Sequence, residues 1–214
     1  MNTFYLGLDL GQAQDPTALA AVERLETLSG TKARYHVRHL ERAPLGPPYT
    51  GIISRISALL GHDPLCGRTR LVVDATGVGA PVVDLLVQAR TSPVAVTITA
   101  GETMSRDGAA YRVPKRDLVG VLQVLLQSRR LKIADAIPEA RLLVQEMLAF
   151  RAKITTNAHD MYGAWREGAH DDLVLAVALA CWYGEQYVAP ACGRILSSYD
   201  KENRARGLLN HSIF

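Results

Sequence analysis

Phe4-Tyr5-Leu6-Gly7-Leu8-Asp9-Leu10-Gly11 is the stretch on which the fold turns. Phe4 to Leu10 reads as a short apolar strand, yet it carries an aspartate near its end. Aspartate is depleted in strands and is rarely buried without a partner. Asp9 has no local excuse such as a cap or a turn, so a cation, a hydrogen-bond set or a metal is expected beside it. Gly11 to Pro16 then reads as a turn. Thr17 to Leu25 is a second strand-length apolar run. Ala33 to Glu41 alternates, with Tyr35, Val37 and the stem of His39 on one side and Lys32, Arg34, His36 and Arg38 mostly on the other. Three successive strands with short links predict an antiparallel meander.

Beyond Pro44 to Pro48 the pattern changes from strands alone to strand and helix in turn. Tyr49 to Leu60 has helical spacing, Leu71 to Asp74 is a buried strand, Val82 to Arg90 a helix with Pro81 in its first turn, and Val94 to Ile98 another strand. Such alternation predicts parallel pairing, and with the meander it predicts an α/β fold built on a mixed sheet. Thr99 to Arg112 reads as a polar, mobile loop. Pro114 and Pro138 each open a helix, Leu131 to Ile133 is a short strand, and Arg151 to Trp165 is irregular. His170 to Tyr187 is a helix that is apolar nearly all round, and so deeply buried.

Bulk properties set the class. A 214-residue chain that is 48% hydrophobic and 21% charged is an ordinary globular protein able to bury a core without disulfides. The three cysteines, Cys66, Cys181 and Cys192, form no C-x-x-C pair and fit a reducing compartment. Met1 to Leu10 has no basic flank or long apolar segment of a signal peptide. The run Leu173 to Tyr183 is shorter than the ~20 apolar residues a membrane span needs. A cytoplasmic protein is expected, with a single domain over 1–187 and a polar, basic tail over 188–214 that either stays flexible or docks elsewhere. The net charge of +3 is compatible with nucleic-acid binding but argues little for it.

Four carboxylates stand where apolar elements begin or end: Asp9, Asp74, Asp171 and Asp172. Asp74 also suits a strand-end turn, and one of Asp171 and Asp172 suits a helix N-cap. Together, two strand-borne aspartates and a helix-borne one can converge on one point of a mixed sheet. Hard divalent ions take such oxygen ligands. Two of them ~3.5–4 Å apart activate a water and stabilise the leaving oxygen of an in-line displacement. Without ions the carboxylates repel one another, offset in part by the helix dipole at Asp171 and Asp172. Weak metal-free folding around the site is therefore expected.

Several segments, taken in order, resemble the nuclease domain of bacteriophage large terminase subunits. They are Gly7-Leu8-Asp9-Leu10-Gly11 with Asp15-Pro16-Thr17-Ala18, Val73-Asp74-Ala75-Thr76-Gly77-Val78-Gly79, Val113-Pro114-Lys115-Arg116-Asp117-Leu118, Arg130-Leu131-Lys132-Ile133, the helix end from Glu146 to Phe150, and His170-Asp171-Asp172-Leu173-Val174-Leu175-Ala176. The resemblance spans roughly residues 4 to 187 and rests on order and spacing rather than on one motif. It implies a ribonuclease H-like fold: a mixed sheet of three antiparallel strands, then parallel strands, flanked by helices. It further implies metal-dependent cutting of double-stranded DNA during viral genome packaging. The catalytic and metal-binding acids carry over to Asp9, Asp74, Asp171 and Asp172, with Asp15 as an accessory metal position and two Mg²⁺ or Mn²⁺ ions as cofactors. Of the helix pair, one is expected to ligate while the other caps or assists. A packaging ATPase, a small terminase subunit and a portal protein are the implied partners, in a host cytoplasm. No G-x-x-x-x-G-K-[ST] motif occurs, so the ATPase motor usual in that family is not in this sequence.

Lys115, Arg116, Arg106, Arg112 and Lys153 are the expected DNA-phosphate contacts, with Lys115 foremost because it follows Pro114 at a helix start. Arg129, Arg130, Lys132 and Arg151 lie in the same basic third of the chain. His159, His170, Tyr111 and Trp165 are weaker candidates, for proton transfer or base stacking. Competing readings are a Holliday-junction resolvase-like nuclease, an actin-like ATPase, and a non-catalytic DNA-binding module of the same fold.

Overall fold

A computed structural model describes residues 2–11, 15–27, 32–46, 48–156 and 171–186, with 150–156 as backbone only. The chain opens with three strands, β1 (Thr3–Asp9), β2 (Ala18–Leu25) and β3 (Arg34–Arg42). Then come α1 (Tyr49–Gly61), β4 (Thr69–Asp74), α2 (Gly79–Gln88) and β5 (Val94–Thr99). The second half holds β6 (Ser105–Asp107), β7 (Ala110–Pro114), α3 (Lys115–Gln127), β8 (Leu131–Ile133), α4 (Ala140–Thr156) and α5 (Asp172–Gln186).

The strands form one sheet in the order β6-β7-β5-β4-β1-β2-β3-β8. β1, β2 and β3 pair antiparallel, as the meander requires. β4 lies parallel to β1, β5 to β4, β7 to β5, and β8 to β3. These pairings bring the C-terminal ends of β1, β3, β4, β5 and β7 to a single edge. Helices cover both faces. Alternate residues Leu6, Leu8, Leu71 and Val73 pack on α1 and α2. Tyr5, Val72, Val96 and Val113, of the opposite parity, pack on α3, α4 and α5. α5 is the core helix the sequence predicts, buried at every residue from Asp172 to Trp182.

α5 lies flush on β1. A Cβ added at Gly7 would sit 1.9 Å from the carbonyl oxygen of Ala176, so only glycine admits this approach. Among the described residues no helix is long and apolar enough to cross a membrane.

Four expectations need correction. The predicted loop over Thr99 to Arg112 contains a hairpin instead: β6 pairs antiparallel with β7 across Gly108, whose φ of +57° suits the turn. Tyr111 and Val113 supply the alternate buried residues that dock β7 on β5. α4 begins at Ala140 rather than Pro138, because the Ala140 amide still bonds back to the Ile137 carbonyl at 3.0 Å in a tight turn. It then continues to Thr156, through the start of the stretch expected to be irregular. Finally, a bulge breaks the β3 alternation. Val22 pairs with Val37 but Ala21 pairs with His39, leaving Arg38 as the extra residue. Leu40, not His39, therefore joins Tyr35 and Val37 on the face that carries α5.

Candidate active site

At the C-terminal edge of the sheet, strand parity aims particular side chains at one point. Asp9 follows Tyr5 and Gly7 on the α5 side of β1, and Asp74 follows Val72 on the same side of β4. β1 and β4 are adjacent and parallel, with Leu8 opposite Val73, so the two aspartates are neighbours. The N-terminus of α5 reaches the same edge with Asp171 and Asp172. Asp74, Asp171 and Asp172 all fall within electrostatic reach of Asp9. Burial pushes the Asp9 carboxyl well above its ordinary range, and Asp74, Asp172 and Asp171 push it further, while Lys115 opposes.

The loop after β4 holds Asp74 in place. Its Oδ1 accepts the Thr76 amide at 2.8 Å, and Thr76 Oγ1 accepts the Ile98 amide of β5 at 2.9 Å. Gly79 opens α2 so close to β4 that a Cβ there would lie 2.1 Å from the Asp74 carbonyl oxygen. After β1, Thr17 Oγ1 accepts the Gly11 amide at 3.1 Å, and the Tyr49 hydroxyl donates to the Gly11 carbonyl at 3.2 Å. Asp15 lies exposed in that turn.

The helix aspartates differ. The Asp171 carbonyl accepts the Leu175 amide at 2.9 Å, which puts Asp171 at the N-cap position and Asp172 at the first helical residue. Asp171 Oδ2 takes a hydrogen bond from Lys115 Nζ at 3.1 Å. Asp172 is buried and its Oδ2 accepts from Arg42 Nη2 at 3.0 Å. Arg42 Nη2 also donates to Glu146 Oε1. Burial pushes the Glu146 carboxyl up to about 7, against the pull of Arg42 and the Val174 and Leu173 amides.

Sequence reasoning missed Arg42 and noted Glu146 only as part of a helix end. Glu146 had a readable signal. It falls at the spacing Ala140, Leu143, Glu146 on the buried stripe of α4, a carboxylate where an apolar residue belongs. Arg42 had none, because the bulge that turns it inward leaves no mark in the residue pattern.

Of the expected DNA contacts, Lys115 faces the acids, whereas Arg106, Arg112 and Arg116 are exposed along β6, β7 and the start of α3. Arg106 stacks 5.0 Å over the Tyr111 ring and Arg116 donates to the Glu102 carbonyl at 2.5 Å. Tyr111 is core, packed edge-on against Trp182 at 5.3 Å. Arg130 is also structural: it is buried and tied to Glu185. The Arg151 and Lys153 side chains, His159, Trp165, His170 and the tail 188–214 lie outside the described residues.

The donor set is all carboxylate oxygen, the chemistry of a hard divalent ion, and three neighbouring acids raise the Asp9 carboxyl. As the side chains stand, no group of three or more His, Cys, Asp or Glu among the described residues is placed to hold a metal ion.

No protein-family model matches the chain, and no curated protein matches it significantly. Solved structures do. The large terminase nuclease from thermophilic phage G20c superposes with a TM-score of 0.53 at 19% identity, over 84% of this chain and 81% of that one. The human cytomegalovirus terminase nuclease domain gives 0.48 at 15% identity, over 84% and 82%. RuvC of Thermus thermophilus gives 0.42 at 13% identity, over 88% and 98%. The sheet order, the mixed pairing and the likeness to the phage nuclease agree: this chain has the ribonuclease H-like fold.

Proposed function

We propose that this chain is a divalent-metal-dependent endonuclease that cuts double-stranded DNA, in a terminase-like role during viral genome packaging. One observation carries the reading: Asp9, Asp74, Asp171 and Asp172, drawn from two strands and a helix, gather at one edge of the sheet and raise the Asp9 carboxyl together. Such mutual repulsion is a standing attraction for a cation. Asp9, Asp74 and Asp172 are the residues that would hold Mg²⁺ or Mn²⁺, with Asp171 and Asp15 as accessory acids. When bound, a pair of such ions activates the attacking water and stabilises the leaving oxygen.

The remaining residues bind and orient. Arg106, Arg112 and Arg116 are exposed cations suited to backbone phosphates, with Lys153 and Lys115 as further proposed contacts. Such phosphate contacts carry no base readout, so cleavage is expected to be largely sequence-nonspecific. A packaging ATPase, a small terminase subunit and a portal protein are the proposed partners, in a host cytoplasm.

Plasmid cleavage tests the reading. Purified protein is incubated with Mg²⁺, Mn²⁺ or EDTA, with Asp9→Asn as control. Nicking and linearisation that need the metal and vanish in the variant are the expected outcome. Absence of cleavage with either metal sinks it.

A further inference from the structure

We propose that Arg42 and Glu146 form a positioning pair that sets Asp172 for metal binding; the inference rests on the nuclease reading above and deepens it. Arg42 is the last residue of β3, and Asp9 and Arg42 both align with Ala18 of β2 between them. The bulge at Arg38 decides where Arg42 points. Continued alternation from Tyr35 and Val37 would bring His39 and Glu41 to the α5 face. The extra residue brings Leu40, and hence Arg42, there instead. Bulges beside active sites commonly re-aim a side chain in this way.

Each contact of the pair acts on Asp172. Arg42 Nη2 holds its Oδ2 at 3.0 Å and is itself anchored on Glu146 Oε1. Glu146 Oε2 accepts the Leu173 amide at 3.2 Å and the Val174 amide at 3.4 Å. Those are the second and third residues of α5, whose amides an N-cap side chain ordinarily satisfies. Here a carboxylate from α4 takes them, while the Asp171 side chain turns to Lys115. One glutamate thus fixes both the backbone that carries Asp172 and, through Arg42, its carboxylate.

Charge balance explains why the two occur together. Arg42 alone would cancel the charge of Asp172 and repel an incoming cation. Glu146, where ionised, offsets Arg42, so that more of the Asp172 charge is left for the metal. Neither residue needs to touch substrate. Partners of this kind around a metal ligand typically change metal affinity or activity by 10–100-fold.

The test is Mn²⁺ titration of the full chain without DNA, by calorimetry, with melting in EDTA as the measure of structure. Wild type is compared with Arg42→Gln, Arg42→Lys and Glu146→Gln. Arg42→Gln is expected to weaken Mn²⁺ binding about 10–100-fold while melting within a few degrees of wild type. Arg42→Lys, which keeps the charge on a different stem, is expected to recover part of that loss. Glu146→Gln, which leaves Arg42 to cancel the charge of Asp172, is expected to weaken binding at least as much. With DNA, Arg42→Gln is expected to lower kcat more than it raises KM. Wild-type Mn²⁺ affinity in folded Arg42→Gln overturns the proposal and leaves the nuclease reading intact, as does a loss of stability without a loss of affinity. A wild-type protein that neither binds Mn²⁺ nor cuts DNA brings down both.

Discussion

Asp9 occupies a position in which a carboxylate is hard to keep charged. It is buried on the α5 side of β1, and its nearest charged neighbours are mostly other acids. Replacing it by asparagine removes the repulsion and keeps the shape. Asp9→Asn is therefore expected to stabilise the metal-free protein by about 1 kcal/mol, the usual scale when a strained active-site group is relieved. For a chain this size, that raises the melting temperature in EDTA by roughly 2–4 °C. Mg²⁺ or Mn²⁺ should raise melting of the wild type but not of the variant. A variant that melts lower than wild type in EDTA would show that Asp9 is a structural residue. The helix pair separates in the same way. Asp172 is buried on Arg42, whereas Asp171 sits at the N-cap on Lys115. Asp172→Asn is expected to reduce cleavage to background, and Asp171→Asn to lower it about 10-fold, an outer-shell effect. Plasmid assays of both variants check this; equal losses would give the two residues equal roles. The acids were legible in the sequence as candidates because each stands at the end or start of an apolar run. Which of the helix pair faces inward was not, since that depends on how α5 seats on the sheet.

At the scale of elements, α5 is what assembles the site, and Gly7 decides how closely it lies. The helix backbone meets β1 at a spot where a methyl group would overlap the Ala176 carbonyl at 1.9 Å. Gly7→Ala must push α5 away from the strand two residues before Asp9. The expected cost is about 3 kcal/mol, the upper end for overpacking a core, together with loss of Mn²⁺ binding as Asp172 withdraws from Asp9. Denaturant unfolding and Mn²⁺ titration of the variant read the two effects separately, and wild-type values in both would mean that α5 does not depend on this approach. The uniformly apolar sequence of α5 announced a core helix, and the three apolar runs announced the meander, because both signals are local and periodic. The β6–β7 hairpin was hidden by its composition: Ser105 to Asp107 is exposed throughout, and only Tyr111 and Val113 mark β7 as a strand. The β3 bulge was hidden for another reason. Its evidence lies in the register against β2, a relation between segments that neither sequence carries alone.

Across the whole molecule, α5 spans the sheet from the acidic edge to a second polar cluster at the opposite end. There Glu185 Oε1 accepts the Tyr35 hydroxyl at 2.7 Å and Arg130 Nη2 at 2.6 Å, and its Oε2 accepts Arg130 Nη1 at 3.0 Å. Arg130 Nε also donates to the Ala33 carbonyl at 2.7 Å. The cluster ties the end of α5 to β3 and to the residue before β8, so the helix is pinned at both of its ends. Burial pushes the Glu185 carboxyl up, but Arg130 and Tyr35 outweigh it and hold the group below its ordinary value of 4.5. The sign of the linkage follows. A carboxylate whose pKa is lowered on folding contributes stability above the unfolded value, and loses it as pH falls through the folded one. Glu185→Gln leaves the Arg130 charge buried without its partner. It is expected to cost about 2–3 kcal/mol at pH 7, less than the 3–5 of a fully buried pair because Glu185 is partly exposed. Below pH 4.5 the wild-type carboxyl becomes protonated too, and the difference between the two proteins should shrink towards zero. Denaturant unfolding of both proteins between pH 3 and 7 measures this. A difference that stays constant across that range would mean that the charge of Glu185 contributes nothing, and that the shape of the cluster alone holds the far end of α5.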